Sequence, residues 1–295
     1  MAYTFNNVGA IGYYTNGEQI ENSLLSWLEW AFLGIGSFSN ITSYYLDVAG
    51  NPLNVLKPAT DVRYTAGTVW QSMRSQWIWE TGVPYVVQPT PVNNVQINGV
   101  AASVGSYINY PEGRIVFSSP VDVSSVVTAN YSNRYTQIHK SSSPWFQDLQ
   151  YRSFRSDELD IVTFPENRVQ LPCVVVERVN KAESRPYEMG NTTSIYKHEF
   201  RLHCLGENDR DCARLHDILI NQADNRIPAY DSNKITFPLS ETGTPISGAK
   251  VYPDLVNFAP WRQIRIAQAS SNPMPYISNK LFWGVVRYSL EVDSV

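Results

Sequence analysis

The sequence predicts an α+β fold: a β-rich module, a sandwich or a meander, inserted between an N-terminal helix and an α/β domain. Three observations predict it. A stretch near the N-terminus carries apolar residues at helical spacing. Residues 60–137 are short apolar runs separated by turn signals. Beyond a serine-rich break, longer apolar and alternating runs surround one amphipathic helix. The corresponding division is 1–59, packing with the C-terminal part, then the module at 60–137, then 138–295.

The first helix is announced by Thr15-Asn16-Gly17-Glu18, a capping box in which Glu18 reaches back to the Thr15 amide. Ile20, Leu24, Trp27, Leu28 and Ala31 then recur at helical spacing, and Gly34 or Gly36 can end the run. Trp27, Trp30 and Phe32 do not fit one narrow stripe, so packing on more than one side is expected. In the module, Asn98-Gly99 signals a hairpin because both residues tolerate positive φ. Pro111-Glu112-Gly113 marks a second turn, between strands at 106–110 and 114–118, and 126–131 adds another strand. The first third of the module, through Trp70, Trp77 and Trp79, has no readable period.

Ser141-Ser142-Ser143-Pro144 reads as a linker. Residues 173–179 are nearly all apolar, as in a central strand. Residues 195–205 alternate, with Tyr196, His198, Phe200, Leu202 and Cys204 on one face and Lys197, Glu199, Arg201 and His203 on the other. The polar stretch 180–193 between them is long for a hairpin loop. A helix follows, capped by Asn208 or Asp209, with Cys212, Leu215, Leu219 and Ala223 as its apolar face and Asn225 or Pro228 as its end. After a long irregular stretch, Phe282, Gly284, Val286, Tyr288, Leu290 and Val292 share one face of a last strand.

Composition narrows the function classes. Charged residues are 17%, against roughly 25% in typical globular chains. Ser, Thr, Asn and Gln replace them, and aromatics reach 13%, a balance that suits protein-facing surface. A net charge of -4 supplies no basic field for nucleic acid. Residues 24–36 are too short to span a membrane and contain Glu29, and no leader pattern opens the chain. These features, with three cysteines, predict a soluble chain made and kept in a cytosol.

No chemistry-bearing constellation emerges, so no catalytic, cofactor-binding or metal-ligating residue is expected. His203, Cys204, Cys212 and His216 fall close together, but His203 and Cys204 are adjacent on a strand and point to opposite faces. No G-x-S-x-G elbow or Walker lysine is present, and Gly34-Ile35-Gly36 lacks the third glycine of a dinucleotide fingerprint. His198 lies on an apolar strand face, as a core histidine does. Asp157, Glu158 and Asp160 follow Arg152 and Arg155 and read as an ion-paired turn, whereas Asp209 and Asp211 flank Arg210 in a first helical turn and complement its dipole. Paired acids near aromatics keep a carbohydrate-binding or glycoside-hydrolysing protein as the alternative, with a plain binding module as a third reading.

The stretch Val95-Gln96-Ile97-Asn98-Gly99, then Tyr107-Ile108-Asn109-Tyr110-Pro111-Glu112-Gly113-Arg114-Ile115-Val116-Phe117, then 126–131, resembles β modules of tailed-bacteriophage structural proteins. The stretch His198-Glu199-Phe200-Arg201-Leu202-His203, continuing through 209–220 to Arg226-Ile227-Pro228-Ala229-Tyr230-Asp231, resembles the α/β unit of tail-terminator and head–tail completion proteins. A minimal terminator has only the α/β unit, so the module would be an addition. The resemblance implies a virion protein of the neck or tail, made in the host cytoplasm. It implies a homo-oligomeric ring, of six subunits for instance, against neck, tail-tube or sheath proteins.

Overall fold

The computed structural model describes residues 17–47, 49–80, 82–88, 94–102, 105–141, 170–186, 194–229, 238–248, 252, 263–273 and 281–293. Among them, two helices accompany a strand content of 44%, so the fold is α+β and β-rich. Thr15 and Asn16 of the expected capping box, and Ser142-Ser143-Pro144 of the linker, lie outside the described residues.

Helix α1, Gly17–Gly34, buries Ile20, Leu24, Leu28 and Phe32, four residues at i, i+4 spacing. Gln19, Glu21 and Ser23 are buried as well, so the helix is covered on more than one side. Its end is a Schellman motif: Gly36 N–H donates to the Leu33 carbonyl (2.9 Å) and Ser37 N–H to the Phe32 carbonyl (2.9 Å). Gly36 takes the φ of +78° that this motif requires.

The module begins with β1 (Phe38–Ile41), which pairs antiparallel with β9 (Tyr131–Arg134). Between them run β2 (Val55–Pro58), β3 (Val69–Gln71), β4 (Val95–Ile97), β5 (Val100–Ala101), β6 (Ser106–Asn109), β7 (Arg114–Phe117) and β8 (Val127–Ala129). These seven form an antiparallel sheet in the order β5-β4-β8-β2-β3-β7-β6. Trp70, Trp77 and Tyr131 are its largest buried side chains, and Trp77 stacks on Tyr131 with centroids 4.3 Å apart. The same core takes in Ile41 and Leu56, which precede residue 60. Asn98 (φ +50°) and Gly99 (φ +80°) make the β4–β5 hairpin turn, and Gly113 (φ +65°) sits in the β6–β7 turn.

After β9 the chain enters the second sheet as β10 (Gln137–Lys140), parallel to β11 (Cys173–Pro186). Strands β12 (Ser194–Gly206), β13 (Arg226–Pro228), β14 (Gln263–Pro273) and β15 (Phe282–Asp293) complete the order β10-β11-β12-β15-β14-β13. Helix α2, Asp209–Ile220, joins β12 to β13 and is capped by Asn208, whose Oδ1 accepts from the Asp211 amide (2.8 Å). One core lies between this sheet and both helices. Cys212, Leu215 and Leu219 of α2 meet Phe200, Leu202, Cys204, Val286 and Leu290 there, alongside the buried stripe of α1. Gly284 matters at this contact, because a Cβ would fall on the His216 ring of α2.

Three sequence expectations change. Residues 180–186 belong to β11, which passes a bulge between Arg178 and Ala182 and keeps pairing, so they are not hairpin loop. The stretch read as irregular contains β13 and the eleven-residue β14. Helix α2 ends at Ile220, before Asn225 and Pro228, because Asp224 takes φ +67° and its amide donates to the Ile266 carbonyl (2.8 Å). Ala223 is therefore exposed and not part of the apolar face.

A buried ion pair joins helix and module. The Arg134 guanidinium at the end of β9 binds the Glu80 carboxylate and donates to the Glu29 carbonyl of α1 (3.0 Å). Both charged side chains are about 5% exposed or less. Burial alone would lower the Arg134 pKa, but Glu80 and Glu29 more than offset it and raise the pKa. Arg134→Met leaves Glu80 buried without a counter-charge and is expected to cost about 3–5 kcal/mol in chemical denaturation. Arg134→Met with Glu80→Leu should recover most of that loss. Gly99→Val should cost roughly 1 kcal/mol or more through backbone strain alone, since no atom lies within 4 Å of a Cβ there.

Candidate functional site

The histidine and cysteine group is split as its strand position dictates, though less evenly than adjacency suggests. Cys204, Cys212 and His216 all lie on the helix side of the sheet. The Cys212 thiol points at the Cys204 carbonyl (3.6 Å), and burial raises both thiols. Among the described residues, no group of three His, Cys, Asp or Glu side chains is placed to hold a metal ion.

His203 lies on the opposite face and is nevertheless buried, beneath Trp283. The Trp283 indole N–H donates to its Nδ1 (3.2 Å), so that nitrogen is bare, and Nε2 carries the proton donated to Glu177 (2.8 Å). Both ring nitrogens are occupied in the neutral form. Burial lowers the pKa, partly offset by Glu177. A histidine so held positions Trp283 and has no free nitrogen for a reacting group.

The carboxylates divide into four sets. Asp157, Glu158 and Asp160 lie outside the described residues, while Asp209 and Asp211 occupy the first turn of α2 as expected. The structure adds two groups that sequence proximity does not show. In the module, Arg114 holds Asp61 (3.3 Å) and Glu112 (2.7 Å), beside a Tyr64–Tyr107 hydroxyl contact of 2.7 Å. Hydrogen bonds from Arg63, with Arg114 behind them, hold Asp61 down at about 2. It is a fixed anion and cannot supply the proton a glycosidase acid must give. At the joint, burial raises the carboxyl of Glu29, which Arg134 partly offsets and Glu80 reinforces. That acid lies inside the packing between α1 and the module.

Surface features are more telling. Tyr44 and Tyr85 are 90% and 88% exposed, and Tyr45 and Leu46 are more than half exposed. All flank β1: the Thr42–Tyr45 turn follows it, and the Asn40 side chain donates to the Tyr85 carbonyl (2.9 Å). Tyr85 has φ +66°, a left-handed conformation uncommon for a bulky residue. On the second sheet, β12, β14 and β15 turn alternate polar residues away from the helices. Arg265, Gln268, Ser270 and Arg287 are exposed there. No helix among the described residues is long and apolar enough to cross a membrane.

No family model matches the chain, and no curated protein matches it.

Burial lowers the pKa of His139 to about 4 and also lowers those of His198 and His203. All three are neutral in the fold, while the unfolded chain titrates near 6.5. Below about 6.5 the unfolded state takes up protons that the folded state refuses, so stability is complete above that pH and falls toward pH 4. The thermal midpoint should drop across this window, and His139→Gln should flatten part of the drop. Asp61 adds a separate loss between about 4 and 2.

Proposed function

We propose that this chain is a structural virion subunit of a tailed bacteriophage, forming an oligomeric ring at the neck or tail end as a terminator or connector. In this reading the second sheet and its helices are the tail-completion-like domain. The β module is an added part that projects from it. The work is assembly through complementary surfaces, without chemistry of its own.

The observation that carries the reading is the tyrosine surface around β1. A tyrosine 88% exposed and held at positive φ loses backbone stability without burying its ring in the subunit. Tyr44 and Tyr85 are the residue type that dominates protein interfaces once desolvated. The exposed polar group of Gln268, Ser270 and Arg287 on the outer face of the second sheet, on a chain with only 17% charged residues, supports the same reading. The carbohydrate alternative asks for an acid able to donate a proton beside aromatics. At Tyr64 and Tyr107 the neighbouring Asp61 is instead locked as an anion.

Tyr85→Asn tests this directly, because asparagine tolerates left-handed backbone and removes the ring. The variant subunit should unfold at the same midpoint as the native chain or higher, by up to about 1 kcal/mol. Its incorporation into particles should fall sharply in a complementation assay. Normal incorporation would overturn the interface, and a virion reconstruction showing an isolated single copy would overturn the ring.

A further inference from the structure

We propose that the outer face of the six-stranded sheet carries an oxyanion-binding site centred on Ser289, taking one phosphate or carboxylate group. The register brings it together. Glu199, Ser289 and Gln268 form one row across β12, β15 and β14, and Arg201, Arg287 and Ser270 form the next. Together with Lys197 they surround a cavity of about 220 Å³. That is smaller than the roughly 300–1,000 Å³ of drug-sized ligand pockets, so a single small group fits and a large molecule does not.

Three features give the cavity its chemistry. Ser289 is 7% exposed although it points away from the helices, because longer side chains rise around it. Its hydroxyl has no hydrogen-bond partner among the described residues, an arrangement that costs free energy until an acceptor arrives. Arg201 and Arg287 are directly opposite each other, and like charges in cross-strand pairs repel. Arg201 has Glu177 on its far side at 3.6 Å, whereas Arg287 makes no ion pair among the described residues. Counting the lining, three cations (Lys197, Arg201, Arg287) face one carboxylate, Glu199, which already has a partner. An oxyanion placed here accepts from Ser289 and removes the arginine repulsion in one step. Guanidinium forks suit both carboxylate and phosphate oxygens.

The test is calorimetric titration of the full chain with inorganic phosphate and, separately, acetate, at constant ionic strength. One saturable site is expected, with affinity lowered about tenfold or more by Arg287→Gln, the loss expected for a charge-assisted hydrogen bond. Ser289→Ala should weaken binding less while leaving the ligand-free unfolding midpoint unchanged or higher. Tighter phosphate binding identifies a phosphorylated small molecule as the source, and tighter acetate binding a carboxylate side chain of a neighbouring subunit. Absence of saturable binding by both anions, or equal affinity in native chain and both variants, overturns the site. The site does not depend on the ring reading, since binding is measured on the isolated chain.

Discussion

The buried Arg134–Glu80 pair is the constraint around which the two cores are arranged. Arg134 ends β9, the strand that closes the module, and β10 of the second sheet begins three residues later. Its guanidinium reaches the Glu29 carbonyl in α1, a helix whose apolar stripe belongs to the other core. One side chain therefore ties the module to the helix, three residues before the second sheet begins. Removing two charges from water is costly, and well-packed apolar residues in their place would often be as stable or more so. What the pair adds is direction. A guanidinium satisfied by one carboxylate and one carbonyl ties the Glu29 turn of α1 to the end of β9, which apolar contact alone leaves loose.

Other contacts near the joint repeat that logic, most of them with neutral groups. The Gln137 side-chain amide donates to Gln170 (2.9 Å), and the Gln170 amide donates to the Met73 carbonyl of the module (2.9 Å). Ser37, just past α1, donates to Thr136 (2.9 Å), between β9 and β10. The Glu21 carboxylate of α1 meets Lys140 of β10 at 3.0 Å. Polar groups concentrated where two cores meet need specific partners, because each one left unpaired in a dry interior is penalised. The exposed tyrosines around β1 sit close to this rigid joint, so an interface built on them would be presented by a fixed frame.

Features encoded over a few residues were legible in the sequence. Asn98-Gly99 and Pro111-Glu112-Gly113 make their turns, Asn208 caps α2, and the faces of β12 and β15 follow the alternation of their residues. What failed to show depended on distance or on broken periodicity. Strand β14 carries Ile264 and Ile266 inward, but a register shift before Gln268 reverses the alternation, and Ser270 and Ser271 add no hydrophobic signal. The early end of α2 depends on a bond from Asp224 to Ile266, more than forty residues away. Glu80 and Arg134 are separated by 54 residues and carry no mutual mark.

The same limit explains why alternation along β12 and β15 does not disclose what is buried on the outer face. Alternation tells which way a side chain points and says nothing about what rises beside it. His203 and Ser289 both point away from the helices, yet both are buried, one under Trp283 and the other among longer neighbours. Their fates differ because their partners differ. His203 has a donor at one nitrogen and an acceptor at the other, which makes it part of the packing. Ser289 has neither among the described residues, and the charged groups around it are three cations and one carboxylate. A buried polar atom with its partners present stabilises the fold, whereas one without them, beside an excess of positive charge, is a place where the fold is left open to something outside the chain.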